Sequence, residues 1–203
     1  PFAESTGWRG TLNPLLQTDL MVIHPPVVFA YYSLCLAVAS IALAGLIKGH
    51  EARRVHEAQL HWARAGFLIG TIGIGLGGLW AYTVLDWGGY WAWDPVETGS
   101  ILPWFALLMI VHARARTDSE RDSAILASPA LGMLAGALAI HATLVTRANG
   151  VWASVHSFVG NEEAREYNDP YIRIVQLFDD GAAGLEVAGY FLIMISLCFA
   201  AFL

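Results

Sequence analysis

VVFAYYSLCLAVASIALAGLI, residues 27–47, runs 21 residues without a charged side chain. A spanning helix needs about 20 mainly apolar residues to cross the hydrocarbon core of a bilayer, and this run meets that length. Four more follow, at 66–85, 100–115, 124–145 and 182–203. The third is the shortest and carries Pro103 near its start, where the first helical turn has spare N–H groups. The composition agrees. Of 203 residues, 56% are hydrophobic and 14% charged, against roughly a quarter charged in a soluble domain.

That balance excludes a disordered chain, and 11 Lys+Arg against 17 Asp+Glu excludes a nucleic-acid partner. Cys35 and Cys198 each sit in an apolar run and form no CxxC, so a disulfide scaffold, a dithiol site and a zinc ribbon are excluded too. The chain opens without Met or a basic leader and closes inside an apolar run, as expected of a piece of a longer protein. The predicted fold is all-α: a polytopic helical membrane protein of about five transmembrane helices, one membrane domain over 1–203. It divides into an outer segment (1–26), two spans (27–85), an aromatic loop (86–99), two further spans (100–145), an outer loop (146–181) and a truncated fifth span (182–203).

Charge sets the direction. The links after the first and third spans hold Lys48, Arg53, Arg54, Arg64, Arg114, Arg116 and Arg121 against five acids. The opposite side holds four cations, Arg9, Arg147, Arg165 and Arg173, against twelve acids. A cation excess marks the cytoplasmic side, so 1–26, 86–99 and 146–181 face outward. In the second span Gly66, Gly70, Gly73 and Gly77 recur at spacings of three and four, a face on which a neighbouring helix can approach closely.

The outward loop reads WGGYWAWDPVE, residues 87–97. Trp87, Tyr90, Trp91 and Trp93 fall within seven residues, with Trp80 and Tyr82 just before them. Two readings fit. One is an interfacial aromatic belt. The other is a platform for a flat, polarizable ligand, with Trp87 and Trp91 on one face if the stretch is helical.

Histidines fall into groups. His50, His56 and His61 lie in the basic link and read as a solvated loop. His24, in Ile-His-Pro-Pro outside the first span, and His156, beyond the fourth, share the outer side with the aromatic loop. Neutral imidazole is a common haem ligand, so these two either flank a metalloporphyrin or are unrelated interfacial histidines. His112 and His141 lie within spans, where an ionisable group is a functional candidate. His112 lies about 18 Å below the outer end of its helix and His141 about 6 Å below its own, at 1.5 Å per residue. They cannot share one iron.

WGGYWAWDPVE resembles the tryptophan-rich WWD motif of the haem-handling membrane proteins of cytochrome c maturation: CcmF-type haem lyases, CcmC-type haem-transfer proteins and CcsA-type synthases. LNPLLQ at 12–17 with IHPP at 23–26 looks like the segment entering the motif-bearing half of the CcmF type. GVWASVHSF at 150–158 looks like that family's segment around its second outer histidine. The resemblance covers about residues 1–160, in order.

The resemblance implies a function. His24 and His156 match the two outer histidines proposed as axial ligands of haem lying on a shelf of Trp87, Tyr90, Trp91 and Trp93. His112 matches one of two membrane histidines that hold a haem b, its partner lying beyond Leu203. No catalytic residue is implied; the contribution is orientation of haem for thioether attachment to a CxxCH apocytochrome c on the outer side of the cytoplasmic (inner) membrane, within a complex. Implied partners are apocytochrome c, haem chaperone and apocytochrome-binding subunits of the maturation system, and the remainder of the CcmF-type chain. With both cysteines in spans, the reacting thiols come from the substrate. Arg147 is the best-placed cation for haem propionates. Asp94 and Glu97 would repel a propionate, so they are expected to cap a helix or bind indole and backbone N–H groups. His141 and the acid-rich stretch from Gly160 onward match no motif of the family. The competing functions are a CcmC-type haem carrier without ligation activity and a purely structural membrane subunit.

Overall fold

A computed structural model describes residues 17–84, 89–113, 123–147 and 181–202. These form five helices: α1 (Asp19–Ile47), α2 (Ala52–Thr83), α3 (Pro95–Ala113), α4 (Ser123–Arg147) and α5 (Gly181–Phe202). No strand occurs among the described residues. The first four helices are long and apolar enough to cross a membrane, and α5 is apolar over Ala188–Phe202. Helices α1 to α4 pack together, and α5 packs mainly on α4. Tyr31, Cys35, Leu107 and Ile110 are buried at the centre among Ala63, Ala135, Ala139 and Ala142.

Small residues allow these approaches. A Cβ on Gly66 would stand 2.9 Å from Leu107 Cδ1, and one on Gly70 would stand 2.8 Å from the Tyr31 ring. Tyr31, seated on that glycine, donates its hydroxyl to the Ser100 carbonyl at 3.1 Å and so ties α1 to the start of α3. At the other end of α1, Gly49 has φ +62°. The His50 N–H donates to the Gly45 carbonyl at 2.9 Å and the Gly49 N–H to Leu46 at 3.1 Å, the paired bonds that close a helix on a left-handed glycine.

Several boundaries differ from expectation. Helix α1 begins at Asp19, with the Thr18 side chain accepting from the Leu20 N–H at 3.4 Å, so His24, Pro25 and Pro26 lie inside it rather than before the span. Two prolines remove two helical donors, but they would serve the carbonyls of Met21 and Val22, both exposed residues. Helix α3 starts at Pro95, which places Pro103 in its interior rather than its first turn. The fifth helix runs within one residue of the expected 182–203. Cys198 faces outward from α5 while Cys35 is buried, so only one of the two cysteines is enclosed.

The largest correction concerns the basic link. Helix α2 begins at Ala52 and takes in His56 and His61, expected to lie in a solvated loop. His56 is only 2% exposed, hydrogen-bonded through Nδ1 to Ser128 Oγ at 2.7 Å. The buried Gln59 amide donates to the Ser128 carbonyl at 2.8 Å and to its hydroxyl at 2.7 Å. This polar cluster joins α2 to α4. Gly132 makes room for it, since a Cβ there would stand 2.5 Å from Gln59 Oε1. The nearly four helical turns before Gly66 extend the helix past its apolar span, with Arg53 and Glu57 outside and Val55, His56, Gln59 and Leu60 inside.

Removing one partner from a buried polar cluster costs about 1–3 kcal/mol. His56→Ala is therefore expected to lower the unfolding free energy in mild detergent by roughly that amount. His61→Ala, at an exposed position of the same helix, should change it by less than about 0.5 kcal/mol.

Candidate functional site

The site grows from one end of α2. Across the α1–α2 interface the His24 Nδ1–H donates to the Gly73 carbonyl at 3.0 Å. A nitrogen facing a carbonyl must carry the proton, so in neutral His24 the lone pair is on Nε2. The imidazole stands edge-on to Trp80, ring centres 5.9 Å apart at 79°. Gly77 lies directly beneath it: a Cβ there would stand 2.9 Å from His24 Cε1.

The aromatic loop returns to the same turn. The Tyr90 carbonyl would stand 3.0 Å from a Cβ on Gly78. The Tyr90 ring lies parallel to Tyr82 of α2, centres 4.5 Å apart at 4°. Both tyrosines are more than half exposed, at 55% and 56%. Residues 89–94 are not helical, so the helical pairing of Trp87 with Trp91 does not apply; Trp87 itself lies outside the described residues. Trp91 instead meets Trp93, ring centres 5.9 Å apart at 84°. The buried Trp91 indole N–H finds no acceptor among the described residues.

Two carboxylates shape this loop. Asp94 Oδ1 accepts from the Val96 N–H at 2.8 Å, capping α3, with Pro95 at the first helical position. Glu97 reaches back, and its Oε2 accepts from the N–H groups of Ala92 at 2.9 Å and Asp94 at 3.2 Å. Those two donors lie on either side of Trp93. Gathered on one oxygen, they hold Trp93 at φ +56°, a left-handed conformation uncommon for a residue with a side chain. Trp93 is 70% exposed as a result. Asp94 and Glu97 are both buried, and these bonds put them in the structure of the loop.

His112 sits elsewhere. Helix α3 carries it about 26 Å from Pro95 at 1.5 Å per residue, on an exposed position. Its Nδ1–H donates to the Leu108 carbonyl at 2.9 Å, leaving Nε2 as the lone-pair nitrogen. That is the tautomer a metal-binding imidazole takes when a carbonyl orients it. His112 and His141 remain apart. Gly99 of α3 packs against Ala142 of α4 at 3.4 Å, so His141 is level with the start of α3 and His112 about 20 Å further along it. No group of three or more His, Cys, Asp or Glu suited to a metal ion occurs among the described residues. Arg147 ends α4, its side chain outside what is described, and His156 lies outside the described residues.

Thus an imidazole and an aromatic loop converge on one end of the bundle, and a second oriented imidazole stands toward the other. The sequence profile of the family described as cytochrome C assembly protein matches residues 6–140. The chain belongs to that family. It is 37% identical over 147 residues, 72% of its length, to the probable cytochrome c-type biogenesis protein NrfE of Escherichia coli. It is 35% identical over 181 residues, 87% of its length, to the cytochrome c-type biogenesis protein ccl1 of Rhodobacter capsulatus. To the cytochrome c-type biogenesis protein CcmF of Escherichia coli it is 35% identical over 150 residues, 74% of its length. In each case the match takes in about a quarter of the relative: 26%, 26% and 23%. No solved structure matches it significantly.

Gly77 and Gly78 escaped the sequence reading as parts of this site. Gly77 was legible only as packing, although a Gly-Gly pair directly before Trp80 and Tyr82 is the available signal. Glu97→Ala should orphan the Ala92 and Asp94 N–H groups, at about 1–3 kcal/mol for each one left unsatisfied. Glu97→Gln keeps an acceptor oxygen and should lose less. Chemical denaturation of the three proteins, with tryptophan emission to follow the loop, checks the order.

Proposed function

We propose that this chain is the haem-presenting part of a haem lyase of cytochrome c maturation, acting on the outer side of the cytoplasmic membrane. The observation that carries the reading is the convergence of His24 and the aromatic loop on one turn of α2. An oriented imidazole beside exposed, apolar rings suits a planar metalloporphyrin: Nε2 of His24 binds the iron, and Tyr90, Trp91 and Trp93 lie against the ring. His156 supplies the second outer ligand and Trp87 the rest of the shelf. The Trp91 indole N–H, buried without an acceptor among the described residues, is suited to a propionate oxygen, with Arg147, the last residue of α4, as the candidate cation.

Haem is the substrate. In thioether formation the S–H of each apocytochrome thiol adds across a haem vinyl group, sulfur to one carbon and hydrogen to the other, with no net oxidation. The chain needs to supply orientation rather than a nucleophile. Its own cysteines both lie in apolar helices, Cys35 buried in α1 and Cys198 on the outer face of α5, and both reacting thiols come from the CxxCH segment of the apocytochrome. His112, with Nδ1 held by the Leu108 carbonyl, would hold a resident haem b through its Nε2, together with a second histidine from elsewhere in the maturation protein. That haem, when bound, supplies the electron that keeps the substrate iron ferrous. The partners are apocytochrome c, the haem chaperone, the apocytochrome-binding subunits and the remainder of the CcmF-type chain. The cation excess around the turn from α1 into α2, Lys48, Arg53, Arg54 and Arg64 against Glu51 and Glu57, supports an inner-membrane orientation with the aromatic loop outward.

The test is the visible spectrum of the detergent-solubilised chain with haemin, oxidised and reduced, beside a His24→Ala/His156→Ala variant. A six-coordinate low-spin spectrum that disappears in the variant is expected. Identical spectra from both proteins would contradict the outer haem site. A carrier without ligation activity would bind haem equally but leave apocytochrome c unmodified in a reconstituted maturation system.

A further inference from the structure

We propose that Gly77 and Gly78 are positioning residues of the haem site: Gly77 seats the His24 imidazole, Gly78 seats the aromatic loop, and their adjacency fixes one against the other. This rests on the reading of His24 as an iron ligand.

The physical basis begins with the Gly73 carbonyl. In an α-helix the carbonyl of residue i points at the N–H of i+4, and the Cβ of i+4 leans back toward the N-terminus. The side chain at position 77 therefore stands beside the Gly73 oxygen. With glycine there, a ring from a neighbouring helix can reach that oxygen sideways, as His24 Nδ1 does at 3.0 Å. A Cβ at 77 would meet Cε1 of the ring at 2.9 Å, Nε2 at 3.5 Å and Nδ1 at 3.6 Å. The ring is not the loose end of a flexible chain. It is held by the Gly73 carbonyl and set against Trp80, so a methyl group at 77 moves it off its hydrogen bond and turns Nε2 away.

The next residue faces elsewhere, because successive helical residues are about 100° apart. Gly78 meets the Tyr90 carbonyl, where a Cβ would stand at 3.0 Å, and the Tyr90 ring at 3.6 Å. That contact is with backbone, which cannot swing aside. Two consecutive absent side chains thus set the ligand and the shelf on one turn. Gly66 and Gly70 are as tight, but against Leu107 and Tyr31 of the core, away from the imidazole and the loop, and Gly73 and Gly75 do not share the demand. Nothing lies within 4 Å of a Cβ on Gly75, and one on Gly73 would make only ordinary contacts with Val27 and Val28.

The experiment compares Gly77→Ala, Gly78→Ala, Gly75→Ala, His24→Ala and His24→Ala/Gly77→Ala as full chains in detergent. Haemin titration and thermal midpoint are the two readouts. Gly77→Ala should weaken haemin binding about tenfold, the equivalent of one lost hydrogen bond, and shift the ferric spectrum from low-spin toward high-spin. Gly78→Ala should weaken binding while keeping the low-spin signature, because the imidazole stays in place. Gly75→Ala should match the unaltered chain. With the imidazole gone, Gly77→Ala should cost no further thermal stability, which separates displacement of His24 from general damage to the helix. A Gly77→Ala protein that binds haemin with unchanged affinity and spin state overturns the proposal, provided His24→Ala does lose the signature. So does a fall in thermal midpoint that is the same with and without His24. If His24→Ala itself leaves the haemin spectrum unchanged, the outer haem site fails and takes this proposal with it.

Discussion

The close approach of α1 to α2 is the constraint on which the rest of the structure depends. Lipid tails are as apolar as leucine, so helices in a bilayer associate through close packing and interhelical hydrogen bonds rather than through exclusion of water. Here the packing runs along the glycine face of α2. Tyr31 lies on Gly70, Val27 and Val28 on Gly73, and His24 on Gly77. The same face exposes the Gly73 carbonyl to the His24 imidazole. Helix adhesion and orientation of the His24 imidazole are two consequences of the same missing side chains.

The loop beyond α2 obeys a second, local rule. Asp94 and Glu97 close the start of α3 in the reciprocal arrangement that satisfies free N–H groups at a helix N-terminus. Read as charges, they would repel an anionic ligand. Read as acceptors, they fold the backbone around Trp93 and turn that ring outward. The acidic residues of the motif thus act on conformation, and the aromatic rings form the surface.

The spans were legible in the sequence because apolar length is a crude and robust signal. The chain's membership of its family was equally legible, because three separated motifs occur in order. Boundaries were less so, and for identifiable reasons. A window of apolarity stops where charges begin, yet α2 continues back to Ala52 because its buried side persists. Val55, Gln59, Ala63, Gly66 and Gly70 recur at helical spacing straight through the basic stretch. Tracking that period, rather than mean polarity, would have enclosed His56. Likewise Ile-His-Pro-Pro reads as a helix boundary, since proline removes a donor, but the carbonyls that lose their partners belong to exposed residues near the N-terminus of α1. The roles of Gly77 and Gly78 could not be read at all without knowing what lies opposite them. A glycine face announces an approach and leaves open what approaches.

The central claim is that His24, held on Gly73 and Gly77, presents Nε2 to a haem iron beside the aromatic loop. Pulsed electron paramagnetic resonance of the ferric haemin-loaded chain, with histidine labelled by nitrogen-15, examines that bond itself. The account predicts strong hyperfine coupling from two imidazole nitrogens on the outer iron that survives replacement of His112, falls to one on replacement of His24, and vanishes on replacement of both His24 and His156. Coupling from two nitrogens that persists without His24, or that vanishes with His112 alone, would contradict it.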